Sequence, residues 1–288
     1  MPTLTTRLLV MPVTLASAAR PGDPPYAGAV LMLLPPSEGK TAPRRGRPLD
    51  LAGLSSPSLT PARERVLAAL VELCSGDPST AAEVLDVPRT RTDLVALNAA
   101  LADAPTARAD AVYSGVLYDA LGLATLPTAA RRRAASRVAV VSSLFGLVRP
   151  GDRIPAYRLS GDATLPGLGP VAATWRDALG PAVLDAVGSG LLVDLRSGTY
   201  AAFWRPPSDL ARRVATVRVL QERDGRRSVV SHFNKATKGR LVRALLDDGR
   251  DARTPARLAA LLTELGWHVE VGEPTAKGTQ LDVVVTEV

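Results

Sequence analysis

The chain has 288 residues, enough to bury a sizeable core as one large domain or two small ones. Its one cysteine, Cys74, excludes an internal disulfide framework, and with only His232 and His268 beside it a structural zinc site is not expected. The net charge of +7 and a sequence pI near 10.0 favour polyanionic partners.

No stretch approaches the roughly 20 apolar residues that span a bilayer, so no membrane partner is expected. Of the 35 Lys and Arg, only Lys40, Lys235, Lys238 and Lys277 are lysine. A background that supplies arginine wherever a surface cation will do leaves lysine for positions that need a compact, movable ammonium.

In chain order, residues 1–31 fit poorly with the rest. They read as a disordered extension or a mis-assigned start, with the domain spanning 32–288. The run LLVMPVTLASAA alternatively has the look of a secretion signal. Nothing later needs an oxidising compartment, so the expected location is the cytoplasm. Residues 29–34 (AVLMLL) read as a buried strand, followed by PPSEGKT at 35–41. A phosphate-binding P-loop needs glycine where Leu34 stands, and two prolines remove donors from the cradle, so this is not a nucleotide loop. Ser37 and Lys40 are either an anion contact or part of a solvated turn.

Residues 60–101 read as helices: a first one opened by Thr60-Pro61 and broken at Gly76, then shorter ones near 79–86 and 91–101. Asp110–Leu123 places Tyr113, Ser114 and Gly115 at a strand-to-helix junction. Arg131–Arg133 ends a short helix, where cations suit the C-terminal dipole. Val138–Val141 is a strand buried on both faces, and Gly146, Pro150, Gly151 and Pro155 then define a loop bearing Arg149, Asp152, Arg153, Tyr157 and Arg158. Arg149 and Asp152 are either site residues or a structural ion pair. A helix over 171–187 holds Trp175, and a buried strand at 191–195 runs into the polar turn 196–200. Residues 214–221 and 227–233 read as a hairpin across Asp224-Gly225, leading into a helix to about 247. Thr254-Pro255 opens a last helix, and WHVEV and LDVVVTEV pair as closing strands. The fold class is mixed α/β (α+β): a single domain with a central mixed sheet flanked by helices. Strand ends near 35, 142, 195 and 232 would converge on one cationic cleft.

The segments PPSEGKT, YSGVLYDAL (113–121), SSLFGLVRPGDRIPAYRL (142–159), DLRSGTYAAFW (194–204) and VSHFNKATKGRL (230–241) resemble the peroxide-stress protein YaaA family, in family order, over about residues 32–285. The family motif matches at Lys40, Tyr113, Gly115, Arg149, Pro150, Asp152, Tyr157, Arg158, Ser197, Tyr200, Ser231, Lys235 and Gly239. Departures are Ala156, Ser160, Asp194 and the trio His232-Phe233-Asn234. The resemblance implies a cytosolic mixed α/β protein with a positive cleft that binds DNA and limits free iron and oxidative DNA damage under hydrogen peroxide. It also implies a helix-hairpin-helix element within 60–101, where Gly76 marks the first break.

On the DNA-binding reading, Lys40, Arg149, Arg158, Lys235 and Lys238 contact phosphates, Ser37 and Tyr157 line the same anion site, and Ser197 and Tyr200 donate hydrogen bonds. Binding would be largely sequence-independent and salt-dependent. On the rival reading the cleft is an active site for a small phosphorylated or nucleoside-like ligand. Lys235 would then be nucleophile or base if burial lowers its pKa, with Asp152 or Asp194 pairing with Tyr200 in proton transfer. A third reading has iron controlled through a protein partner or by sequestration. No cofactor and no metal ligand set is expected.

Overall fold

The computed structural model describes residues 29–223, 225–229 and 231–286, with the side chains of Ser231 and His232 outside the described set. Most of the expected N-terminal extension, residues 1–28, and Asp224 of the expected turn therefore lie outside the described residues. The strands are β1 (Leu31–Leu34), β2 (Ala107–Arg108), β3 (Val138–Ser142), β4 (Gly146–Val148), β5 (Arg153–Ile154), β6 (Thr164–Leu165), β7 (Gly169–Pro170), β8 (Leu192–Asp194), β9 (Val214–Arg223), β10 (Arg226–Ser228), β11 (His268–Thr275) and β12 (Gly278–Thr286). The helices are α1 (Thr60–Ser75), α2 (Pro78–Val84), α3 (Thr92–Ala99), α4 (Ala109–Val112), α5 (Val116–Leu121), α6 (Thr128–Arg137), α7 (Val171–Val187), α8 (Gly198–Ala201), α9 (Ser231–Asp248) and α10 (Pro255–Glu264).

One mixed sheet organises the chain, in the order β11-β12-β9-β8-β1-β3-β4, with β10 pairing the far end of β9. From β12 to β3 neighbouring strands are parallel, and β11 and β4 close the edges antiparallel. The central strands β1, β3 and β8 are buried along their whole length, as expected of apolar runs covered on both faces. Parallel pairing has a functional consequence: the carboxyl ends of β1, β3 and β8 share one edge, where α/β sheets present their loops. Among the described residues no helix is long and apolar enough to cross a membrane.

The structure departs from the sequence reading in four places. Residues 109–112 form a short helix, not a strand, because Ala109 and Asp110 donate backbone N–H groups to the carbonyls of Asp152 and Pro150. Tyr113 alone is extended there and bridges to Lys40. Arg131–Arg133 sits inside α6, which runs on to Arg137, and Arg133 donates to the Leu246 and Asp247 carbonyls at the end of α9. After β3 the chain turns at once into a hairpin with β4. Gly146 at φ 68° permits it, and an added Cβ would lie 2.6 Å from the Trp175 ring. The second hairpin strand stops at Ser228, so 231–240 is helical and the fourth convergent element is the amino end of α9.

Candidate functional site

The loop after β1 is folded by its own side chains. The Ser37 hydroxyl donates to the Gly39 carbonyl at 2.6 Å and accepts the backbone N–H of Ser114 at 3.2 Å, which fastens the loop to the 113–115 turn. This turns Lys40 inward. Its Nζ donates to the Ser37 carbonyl at 2.6 Å and stands 4.0 Å from the centroid of the Tyr157 ring and 5.8 Å from that of Tyr113. Burial, then the neighbouring Arg158 guanidinium, push its pKa down to about 7, with Glu38 opposing. The Tyr157 face and the Ser37 carbonyl favour the ammonium.

Beneath Lys40 lies a hydroxyl cluster. Tyr157, 2% exposed, is 2.8 Å from the Ser142 hydroxyl and 3.2 Å from that of Tyr113. Tyr118 stacks on Tyr113 and donates to the Pro35 carbonyl at 2.7 Å. Burial raises the pKa of Tyr113, Tyr118 and Tyr157, so all three stay protonated. Tyr200 faces Ser143 and Gly161, and burial pushes it up to about 12. An added Cβ on Gly161 would come 2.8 Å from Thr199 Cγ2 and 3.1 Å from the Tyr200 ring, so both side chains would have to shift to make room for it.

Over the site, Glu38 accepts from Arg158 Nη1 at 3.0 Å. That bond, together with the charges of Arg158, Lys235 and Lys40, holds its carboxyl below the usual range despite some burial. Lys40, Arg158 and Lys235 thus converge on one carboxylate, and Lys235 itself is exposed. Arg158 is anchored through its backbone: its N–H reaches Asn98 Oδ1 and its carbonyl accepts from Asn98 Nδ2.

Other residues of the sequence reading are engaged elsewhere. Arg149 lies by the opposite end of β3, where its Nη1 donates to the carbonyls of Ser136 and Val138. Asp152 is on that side too, accepting the Arg149 backbone N–H and both donors of Ser55. Asp194 is buried in a two-pronged pair with Arg196, which also donates to the Tyr200 and Trp204 carbonyls. Lys238 donates to the Leu195 carbonyl at 2.9 Å, and burial moves its pKa down to about 8. Ser197 is exposed at the start of α8. Among the described residues no group of three or more His, Cys, Asp or Glu is placed to hold a metal ion.

Sequence reasoning passed over Glu38, Ser142 and Tyr118 as site residues. The two tyrosines of YSGVLY lie five apart around Gly115, and their shared face was a usable signal. Glu38 carried none, because its role depends on cations 120 and 197 positions away, at Arg158 and Lys235.

Residues 30–271 match the family described as peroxide stress protein YaaA. The chain belongs to the YaaA family. It is 51% identical over 261 residues to the UPF0246 protein SCO2297 of Streptomyces coelicolor, covering 90% of this chain and 100% of that one. It is 43% identical over 246 residues to the UPF0246 protein CE1889 of Corynebacterium efficiens, covering 85% of this chain and 96% of the relative. A Campylobacter jejuni relative, Cj0984, is 28% identical over 142 residues, covering 49% of this chain and 54% of its own. Lys40 and Tyr157 both lie within the matched residues.

Proposed function

We propose that this YaaA-family protein acts in the cytoplasm as a DNA-binding member of the peroxide-stress response, helping to limit free iron and DNA damage. The observation that carries the reading is the convergence of Lys40, Arg158 and Lys235 on one sheet edge, around a single carboxylate. The amino end of α9 reaches the same edge, since Lys238 of its second turn meets the last residues of β8. Fixed cations and a helix amino terminus attract phosphate without reading bases, so affinity should be largely sequence-independent and fall steeply with salt. No metal-ligand cluster supports direct iron chelation by the described residues, so iron control would run through DNA or a protein partner.

Fluorescence anisotropy of labelled linear and branched duplexes tests this at low and near-physiological salt. Salt-sensitive binding that weakens in Lys235→Ala supports the reading; no binding at low salt overturns it. Whole-cell measurement of free iron after hydrogen peroxide, with and without the gene, tests the stress role.

A further inference from the structure

The hydroxyl cluster is rich in donors and short of acceptors. Ser142 Oγ takes the backbone N–H groups of Leu144, at 3.2 Å, and Phe145, at 3.0 Å. A serine oxygen accepts two hydrogen bonds, so its own proton goes to Tyr157. The Tyr113–Tyr157 contact uses one phenolic proton. The other phenolic proton is left to share Ser142 Oγ, the second hydroxyl within reach of Tyr113, with the two backbone N–H groups already there, and Tyr113 and Tyr157 are only 4% and 2% exposed. A buried donor short of an acceptor costs stability, so a group retained this way points to a ligand. Arg158 Nε, on a guanidinium whose charge Lys40 feels, is buried with no partner.

Glu38 supplies the complementary observation. Its side chain is 80% exposed, yet its carboxylate rests on Arg158 within the field of Lys40 and Lys235. Only the Glu38 end of this pair is open to solvent, so the carboxylate is screened there and readily exchanged. Glu38 is an anion of the protein's own, placed where cations and spare donors face an acceptor.

We propose that Lys40, Arg158 and the Tyr113–Tyr157 hydroxyl pair form a seat for a compact oxyanion, the phosphate of a small monoester, which displaces the Glu38 carboxylate. Neither the seat nor its gate depends on DNA binding. A monoester dianion offers three oxygens to the ammonium, guanidinium and phenol together, whereas a backbone diester offers two. Glu38 then sets a threshold, admitting ligands that carry more charge than its own carboxylate.

Calorimetric titration of the full chain with inorganic phosphate, at fixed ionic strength and neutral pH, tests the proposal. Glu38→Gln should tighten binding about fivefold by removing the competitor, and Tyr113→Phe should weaken it about fivefold with no change of charge. Glu273→Gln, an exposed position on β11 at the far edge of the sheet, makes the same charge change and should leave affinity as it was. Equal tightening in Glu38→Gln and Glu273→Gln would reduce the effect to net charge and overturn the seat. So would absence of phosphate binding in both the wild type and Glu38→Gln. Dimethyl phosphate binding Glu38→Gln as tightly as inorganic phosphate would overturn the monoester assignment in favour of a nucleic-acid backbone. These arms contain no DNA, so the DNA reading stands or falls separately on anisotropy.

Discussion

Lys238 of α9 gives its ammonium to the main-chain carbonyl of Leu195, 2.9 Å away at the end of β8. The contact is a joint between helix and sheet, and it makes Lys238 a positioning residue for Lys235, one turn earlier on the same helix. It also makes stability depend on pH. Burial holds Lys238 at about 8 and Lys40 at about 7, below the ordinary 10.5. Between those values and 10.5 the unfolded chain binds more protons than the folded one, so stability rises with pH across that window. Buried Tyr113, Tyr118 and Tyr157 have the opposite sign. Their folded values lie above the ordinary 10.0, so their contribution is present below about pH 10 and is lost as pH climbs higher. Urea midpoints measured from about pH 7 to about pH 11 should therefore rise, peak between about 9 and 10, and fall. A midpoint declining steadily from pH 7 would contradict this, and Lys238→Met should flatten the rise.

Lys235 and Arg149 should separate in a DNA-binding assay, although the sequence reading sets both against phosphates. Lys235 is exposed beside Glu38, while Arg149 holds the Ser136 and Val138 carbonyls at the other end of β3. Lys235→Ala should weaken duplex binding and reduce the salt slope by about 1, with thermal stability unchanged. Arg149→Ala should lower the melting temperature and leave the affinity of the folded protein alone. The reverse pattern would move the nucleic-acid surface to the opposite sheet edge.

Elements with a strong local signal were legible in the sequence. The β1 run is apolar throughout, Gly188 ends α7, and Thr254 accepts the Arg257 N–H to open α10. Ambiguity entered where long-range bonds set the backbone: α4 exists because its first N–H groups reach Pro150 and Asp152. The site follows the same rule. Its cations were visible as residue types, but the sequence does not tell which ones spend their donors on carbonyls. Arg149, Arg196 and Lys238 do so, whereas Arg158 keeps a buried Nε without a partner.

Gly239 is required by packing, not by its backbone angles. A Cβ there would lie 2.2 Å from the Leu117 carbonyl oxygen and 2.9 Å from Ala120 Cβ, where α9 presses on α5. Both are parts of a helix that cannot swing aside, so Gly239→Ala should cost about 1–3 kcal/mol or more and push α9 outward. Denaturant unfolding measures the loss. Duplex affinity should fall with it, because Lys235 and Lys238 ride on the displaced helix, and a Gly239→Ala protein of wild-type stability would rule out so close an approach.

The Asp194 carboxylate is matched to Arg196. The Arg196 side chain is 1% exposed and meets both Asp194 oxygens, with Nη2 at 2.7 Å from Oδ2, while its remaining donors reach the Tyr200 and Trp204 carbonyls. The pair ties β8 to the turn that carries Ser197 and Tyr200. Removing one partner strands the other charge in the interior, a loss of about 3–5 kcal/mol, whereas replacing both with apolar groups of similar size is much milder. Asp194→Ala should therefore destabilise strongly, and adding Arg196→Met to it should restore part of the lost stability. Additive losses in the double variant, read from denaturant midpoints, would show that Arg196 acts through the carbonyls it holds rather than through Asp194.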